Sequence, residues 1–375
     1  MGFNNFVLTS CGLSILTNLK KDLNFIEDIY SYSNYTENEF SVEKKKIFDE
    51  FLNAVEEQLL KSDITKIKKV SAELNALMEF YKINSLKDLP KTDMYCFLHT
   101  DTYLGKNIAK ILENVFKKNG IGNVFIETSS YLRTSDFEKF SFSLSELAKK
   151  LAETLKEYKS NGYKIIFNLT GGFKSINSFL QTVASLYADE SIYIFETSNS
   201  LLRIPKLPVK VDDTIFIEHF DLFRMLDLGI YNERIKKEIY KLPEILYLEI
   251  DGDFIISAWG TLVWQEVKEN TYKERLNNPI SDKIRISDYL KKQFEDLNPF
   301  ERLQLNKKID DFEKAVATNF GYNPSSLRFH ELEGKISKIY KYEFYPFDGD
   351  DSRRLYIRED EDGIYILDKI DKHLK

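Results

Sequence analysis

Cysteine, histidine, proline and long apolar runs are all scarce in this 375-residue sequence, and each scarcity excludes something. The two cysteines, Cys11 and Cys96, lie in apolar, strand-like surroundings. Neither a disulfide framework nor a zinc site is expected from them, no metal or cofactor is assigned, and both read as core thiols. No apolar stretch approaches the ~20 residues of a membrane span, and "MGFNNFVLTSCG" lacks the basic-then-apolar order of a signal peptide. A cytoplasmic protein with no membrane partner is therefore expected. There is no GxxxxGK[ST] and no GxGxxG, which disfavours a nucleoside triphosphatase. Positive charge is not in excess either: 53 Lys and Arg against 60 Asp and Glu give a formal net charge of -7, unsuited to indiscriminate binding of phosphate backbones.

What is present is enough for real cores, with 43% hydrophobic and 14% aromatic residues, and the length suggests two or three of them. "NFVLT", "MYCFLHT", "NVFIETS", "YKIIFNLT" and "SIYIFE" read as apolar strands. Helical patterns such as "FDEFLNAVEEQLL", "IKKVSAELNALMEFY" and "SLSELAKKLAETLKEYKSNG" lie between them. This alternation predicts an open, mostly parallel, doubly wound α/β sheet of Rossmann-like form over residues 1–210. The rhythm breaks at "RIPKLPVKVDD". Residues 211–280 read as helices and a hairpin around "EIDGDF", the outline of a winged helix serving as spacer or dimer platform. Residues 281–375 read as a short strand, two helices broken at "LNPFE", and the strands "SKIYKYEFYPF", "SRRLYIRE" and "GIYILDKID", an α+β unit with an antiparallel sheet.

Doubly wound sheets bind ligands at the carboxyl ends of their strands. Three polar loops follow strands and should emerge on that edge: "SCGLS" with Ser10, Gly12 and Ser14, "HTDTYLG" with Thr100 and Asp101, and "TGGFKS" with Thr170, Gly171, Gly172 and Lys174. Two glycines allow positive φ and let backbone N–H groups approach an anion closely. The helix that follows adds the positive end of its dipole, and Lys174 adds a full charge. A phosphate or phosphodiester would suit such a loop; a plain structural turn is the competing reading.

"VLTSCGLSILTN", "SAELNAL", "LHTDTYLGKNIAKIL" and "NLTGGFKSINSFL", in this order, resemble the CARF sensor domain of CRISPR-associated proteins over residues 1–210. "ISAWGTLVWQE" is similar to the winged-helix segment that often follows it. The resemblance implies a homodimer whose paired sensors hold a cyclic oligoadenylate, the tetra-adenylate being expected, with Ser10, Gly12, Ser14, Gly171, Gly172 and Lys174 at the contacts. The ring is an activating ligand, not a cofactor. Its even-fold symmetry suits an isologous dimer. Slow cleavage of the ring by the sensor itself stays open.

None of the four histidines, His99, His219, His330 and His373, has an arginine five residues upstream, which excludes the HEPN ribonuclease that many CARF proteins carry. Residues 281–375 instead resemble the RelE/HigB family of ribosome-dependent mRNA interferases, with an RxxY strand at Arg353 to Tyr356 and a basic ending at Lys369, Lys372 and His373. A position that is often lysine in that family is Glu343 here. Metal-independent cleavage of RNA needs the 2′-OH deprotonated, the leaving 5′-oxygen protonated and the charge on phosphorus stabilised. By the resemblance Arg353 stabilises the phosphate, Lys341 or His373 moves the proton, Tyr356 stacks or orients a base and Lys372 completes the basic set. This segment has 18 Lys and Arg against 20 Asp and Glu, so a ribosome is expected to supply and position the mRNA. The alternative is a ligand-gated transcription regulator that reads DNA through residues 211–280.

Overall fold

The structure is a computed structural model that describes residues 4–195, 200–206, 208, 211–231, 233–334, 336–349 and 351–372. His373 lies outside the described residues. The contacts separate two units, residues 1–210 and 211–375.

In the first unit the chain runs β1 (Asn5–Ser10), α1 (Ser14–Leu19), α2 (Val42–Lys61), α3 (Ile64–Val70), α4 (Ala72–Tyr81), β2 (Met94–Leu98), α5 (Tyr103–Lys118), β3 (Val124–Glu127), α6 (Phe137–Ser160), β4 (Lys164–Asn168), α7 (Lys174–Tyr187), β5 (Glu190–Ile194) and β6 (Leu201–Pro205). The sheet order is β3-β2-β1-β4-β5-β6, with every pairing parallel except β5 with β6. Strands alternate their faces, so Val7, Tyr95, Phe97, Ile166 and Ile192 share a core with residues of α1 to α5. Phe6, on the opposite face, packs its ring 4.3 Å from that of Tyr158 in α6. Helices thus cover both faces of a largely parallel sheet, the α/β arrangement that the alternating pattern predicts. Cys11 and Cys96 are buried and unpaired, and burial pushes both thiols up from their ordinary value. The sequence reading gave β6 no strand, because a half-exposed edge strand carries Arg203 and ends in Pro205, a composition that resembles a linker.

The second unit begins with α8 (Thr214–Glu218), α9 (Phe220–Leu228) and α10 (Glu233–Ile239), then the hairpin β7 (Tyr247–Ile250) and β8 (Asp253–Ile256), then α11 (Ala258–Glu274). It continues with β9 (Ile284–Ile286), α12 (Asp288–Glu295), α13 (Pro299–Ala317), β10 (His330–Glu331), β11 (Tyr342–Phe344), β12 (Arg353–Glu359) and β13 (Tyr365–Lys372). The sheet β10-β11-β12-β13-β9 is mixed, not wholly antiparallel as expected, because β9 joins β13 in parallel. Of the strand expected at "SKIYKYEFYPF", residues 342–344 alone form β11, and Ile336–Lys338 is a 3-10 turn. Leu290, Phe294, Ile309 and Phe312 of α12 and α13 share a core with Phe344, Leu355, Ile357, Leu367 and Ile370 of the sheet.

Residues 211–280 and 281–375 are joined inside this unit by a buried polar network. Arg224 of α9, fully buried, donates to Asp310 (2.7 Å) and Glu313 (3.0 Å) of α13 and to the carbonyl of Asn278 (2.6 Å). Lys268 of α11 reaches Asp227 (2.7 Å) and Asp310 (3.2 Å), and the Tyr272 hydroxyl donates to Asp310 as well.

Candidate functional site

The order β3-β2-β1-β4-β5-β6 reverses direction between β1 and β4. In an open α/β sheet the crevice outside the carboxyl ends of two such strands is the place for a ligand. A cavity of about 1250 Å³ lies there, larger than the 300–1,000 Å³ of ordinary small-molecule pockets. Gly12 and Ser14 line it from the loop after β1, and Thr170, Gly171, Gly172 and Lys174 from the loop after β4.

A buried carboxylate anchors the β1 loop to α4, and a serine ties that loop to the one after β4. Glu73, fully buried in the first turn of α4, accepts the N–H of Gly12 (2.8 Å) and the hydroxyls of Ser14 (3.1 Å) and Ser71 (3.0 Å). Burial raises its carboxyl above the ordinary value, opposed by the bonds from Gly12, Ser71 and Ser14. Ser10 donates to the carbonyl of Gly171 (2.7 Å), and Asn177 of α7 donates to the same oxygen (2.6 Å). A Cβ on Gly12 would stand 2.5 Å from the backbone nitrogen of Gly172, and one on Gly171 would collide with Glu73. Gly172 itself adopts φ +97°, a conformation that L side chains rarely enter. The glycines are therefore required for close approach of the two loops.

The predicted binding residues divide accordingly. Gly12, Ser14, Thr170, Gly171, Gly172 and Lys174 are brought to one cavity. The Gly12 N–H and the Ser14 hydroxyl are, however, already given to Glu73, and Ser10 is buried. Gly12 and Ser14 thus build the cavity wall, while Ser10, predicted as a contact, does not line it and instead holds the Gly171 carbonyl from behind. Thr100 and Asp101 do not line the cavity, because β2 lies on the far side of β1 from β4. Thr100 bonds Thr102, whose hydroxyl caps α5 through the N–H of Gly105, and Asp101 accepts the N–H of Tyr131. Lys174 opens α7, which has no side-chain cap, so its first N–H groups are open to an anion.

Sequence reasoning took residues 20–87 as covering helices and missed the opposite wall. Lys68 and Lys69 of α3 and Asn75 and Glu79 of α4 line the cavity. Lys68 is paired with Glu79 at 2.6 Å, and Asn75 is buried with its Oδ1 unpartnered. The signal was in "SAELNAL", where Glu73 and Asn75 interrupt an apolar helical face.

In the second unit, strand alternation separates the predicted catalytic residues. Arg353 lies on the helix side of β12: it bonds both oxygens of Asp351 and pairs with Glu301 of α13 (2.5 Å), with its guanidinium 4.1 Å from the Phe347 ring centroid. Tyr356 lies on the other face, fully buried with Leu332, Ile336 and Tyr340; its hydroxyl donates to the carbonyl of Lys372 (3.3 Å). Its ring is covered, so stacking on a base requires Leu332, Ile336 and Tyr340 to move aside. Lys341 pairs with Glu359, at the other end of β12 from Arg353. Lys372 ends β13 opposite Arg353. Arg353, Lys341 and Tyr356 are thus not gathered in one place.

Residues 68–207 match a family model described as CRISPR-associated protein (Cas_APE2256). The matched stretch holds Glu73, Asn75 and the whole β4–α7 loop, and it supports a CRISPR-related role. No curated protein matches the chain.

Proposed function

We propose that the chain is a ligand-gated ribonuclease of a type III CRISPR defence: a cyclic oligoadenylate occupies the cavity between the β1 and β4 loops of a paired sensor, and its binding activates cleavage of ribosome-bound mRNA by the second sheet. The observation that carries this reading is the cavity itself. It sits at the strand-order reversal, exceeds the needs of a single nucleotide, and is edged by a glycine-rich loop, an open helix N-terminus and Lys174. A small polyanion suits that combination better than a long nucleic acid does, because amide donors and a few ammonium groups face it while the chain as a whole carries -7. A transcription regulator would leave the second sheet without a task.

Two measurements test the reading. Calorimetry with cyclic tetra-adenylate should give binding that Lys174→Ala weakens by about tenfold or more, the size of one charge-assisted contact. Incubation with translating ribosomes should give new mRNA ends only when the ring is present. Unaltered binding in Lys174→Ala removes this cavity from the account, and ring-independent or absent cleavage removes the effector.

A further inference from the structure

On the face of the second sheet that turns away from α12 and α13, three basic side chains gather around one aromatic ring and one buried carboxylate. Glu343 of β11 is 1% exposed, and its Oε2 has no partner. Its Oε1 lies 3.0 Å from Nε2 of His330 and 3.6 Å from Nε of Arg354. The Arg354 guanidinium stands 3.3 Å from the centroid of the Tyr345 ring, and the Arg328 guanidinium 4.8 Å from the same centroid. Nδ1 of His330 faces the carbonyl oxygen of Arg328 at 2.9 Å. Both ring nitrogens therefore face acceptors.

The charges here do not cancel. Arg328 makes no ion pair among the described residues, and Nη2 of Arg354 makes no hydrogen bond there. One buried carboxylate holds the group in place and neutralises a single charge of it. Arg353, one residue away on the opposite face, pairs with two carboxylates, Glu301 and Asp351, the second of which also feels the charge of Arg354. In a chain of net charge -7, an uncompensated cationic cluster marks where an anion is received.

We infer that Arg328, His330 and Arg354 form a binding site for an RNA phosphodiester, with the Tyr345 ring beside it for a base and Glu343 as the positioning residue. The choice of RNA rests on the ribonuclease reading. Guanidinium groups match phosphate oxygens in pairs and lie flat on aromatic rings, and single-stranded RNA is recognised through such stacking together with its backbone. Glu343 acts through its neighbours, since its free oxygen is buried.

The test uses the full chain and a fluorescent, fully 2′-O-methylated RNA octanucleotide, which resists cleavage, with anisotropy read across a range of salt. Arg328→Gln and Arg354→Gln should each weaken binding about tenfold and each reduce the slope of log affinity against log salt by about 0.7. Lys291→Gln, which removes an exposed charge of α12 on the opposite side of the sheet, should leave that slope unchanged. Glu343→Gln should move the ring ¹⁵N resonances of His330 and weaken the RNA, and Glu343→Asp should restore part of both. An unchanged slope in both arginine variants overturns the site, as does displacement of the RNA by an equal concentration of inorganic phosphate. Ribosome-dependent cleavage is scored in parallel. A wild type that binds with these slopes yet never cuts mRNA overturns the ribonuclease reading and leaves the site standing; variants that cut at the wild-type rate overturn the site and leave the reading.

Discussion

Single atoms decide whether the first site exists. Gly12→Ala places a methyl 2.5 Å from the Gly172 nitrogen, and backbone, unlike the end of a long side chain, cannot swing aside. Urea unfolding of that variant should show a loss of about 1–3 kcal/mol, with ring binding falling alongside. Glu73→Ala should cost a similar ~1–3 kcal/mol by leaving buried donors of Gly12, Ser14 and Ser71 without an acceptor, whereas Glu73→Gln keeps an acceptor and should lose less in the same assay. The placement of Gly12, Gly171, Gly172 and Lys174 at the cavity was legible because turn chemistry is local. Glu73 was not, since its partners Ser14 and Gly12 are 59 and 61 residues away in sequence. Nor was the choice between Arg353 and Arg354. Adjacent strand residues face opposite sides, and only the register of β12 against β11 and β13 assigns one to the α13 carboxylate and the other to the cationic cluster.

At the scale of elements, α13 explains most of what the pattern concealed. Its buried residues include Asn306, Lys308, Asp310 and Glu313 as well as Leu305 and Phe312, so its polar positions look solvated in sequence while several face α9 and α11. Arg224→Met should therefore destabilise the second unit by about 3–5 kcal/mol, because it strands two carboxylates; denaturant unfolding measures it. Glu313 gives the network a pH signature. Burial, only partly offset by Arg224, raises its carboxyl from 4.5 to about 7. A carboxyl raised in the folded chain holds its proton more tightly there than in the unfolded chain. Its contribution is fully present below pH 4.5 and declines as pH rises towards 7. Stability should fall across that window, and Glu313→Gln should flatten the fall. Strand existence was readable from apolar runs, but the parallel docking of β9 on β13 was not, because a three-residue strand has too few positions to show a period.

For the whole molecule, cyclic tetra-adenylate at a hundredfold excess over its dissociation constant should stabilise the unit that holds the cavity by about 2.7 kcal/mol, read in calorimetry as a rise in its transition temperature. The alternation of strands and helices in residues 1–210 made that unit's architecture legible from sequence, whereas the second unit's was hidden in long-range polar contacts. One feature of its sheet bears on how the protein is made. Among the described residues Ile284–Ile286 pairs with Tyr365–Leu367 alone, so during synthesis the earliest strand of the sheet waits, unpaired, while the helices and hairpins between are produced. A chain cut short before residue 365 would have an open edge where β13 belongs and a β9 with nothing to join, so no partial product holds the finished sheet.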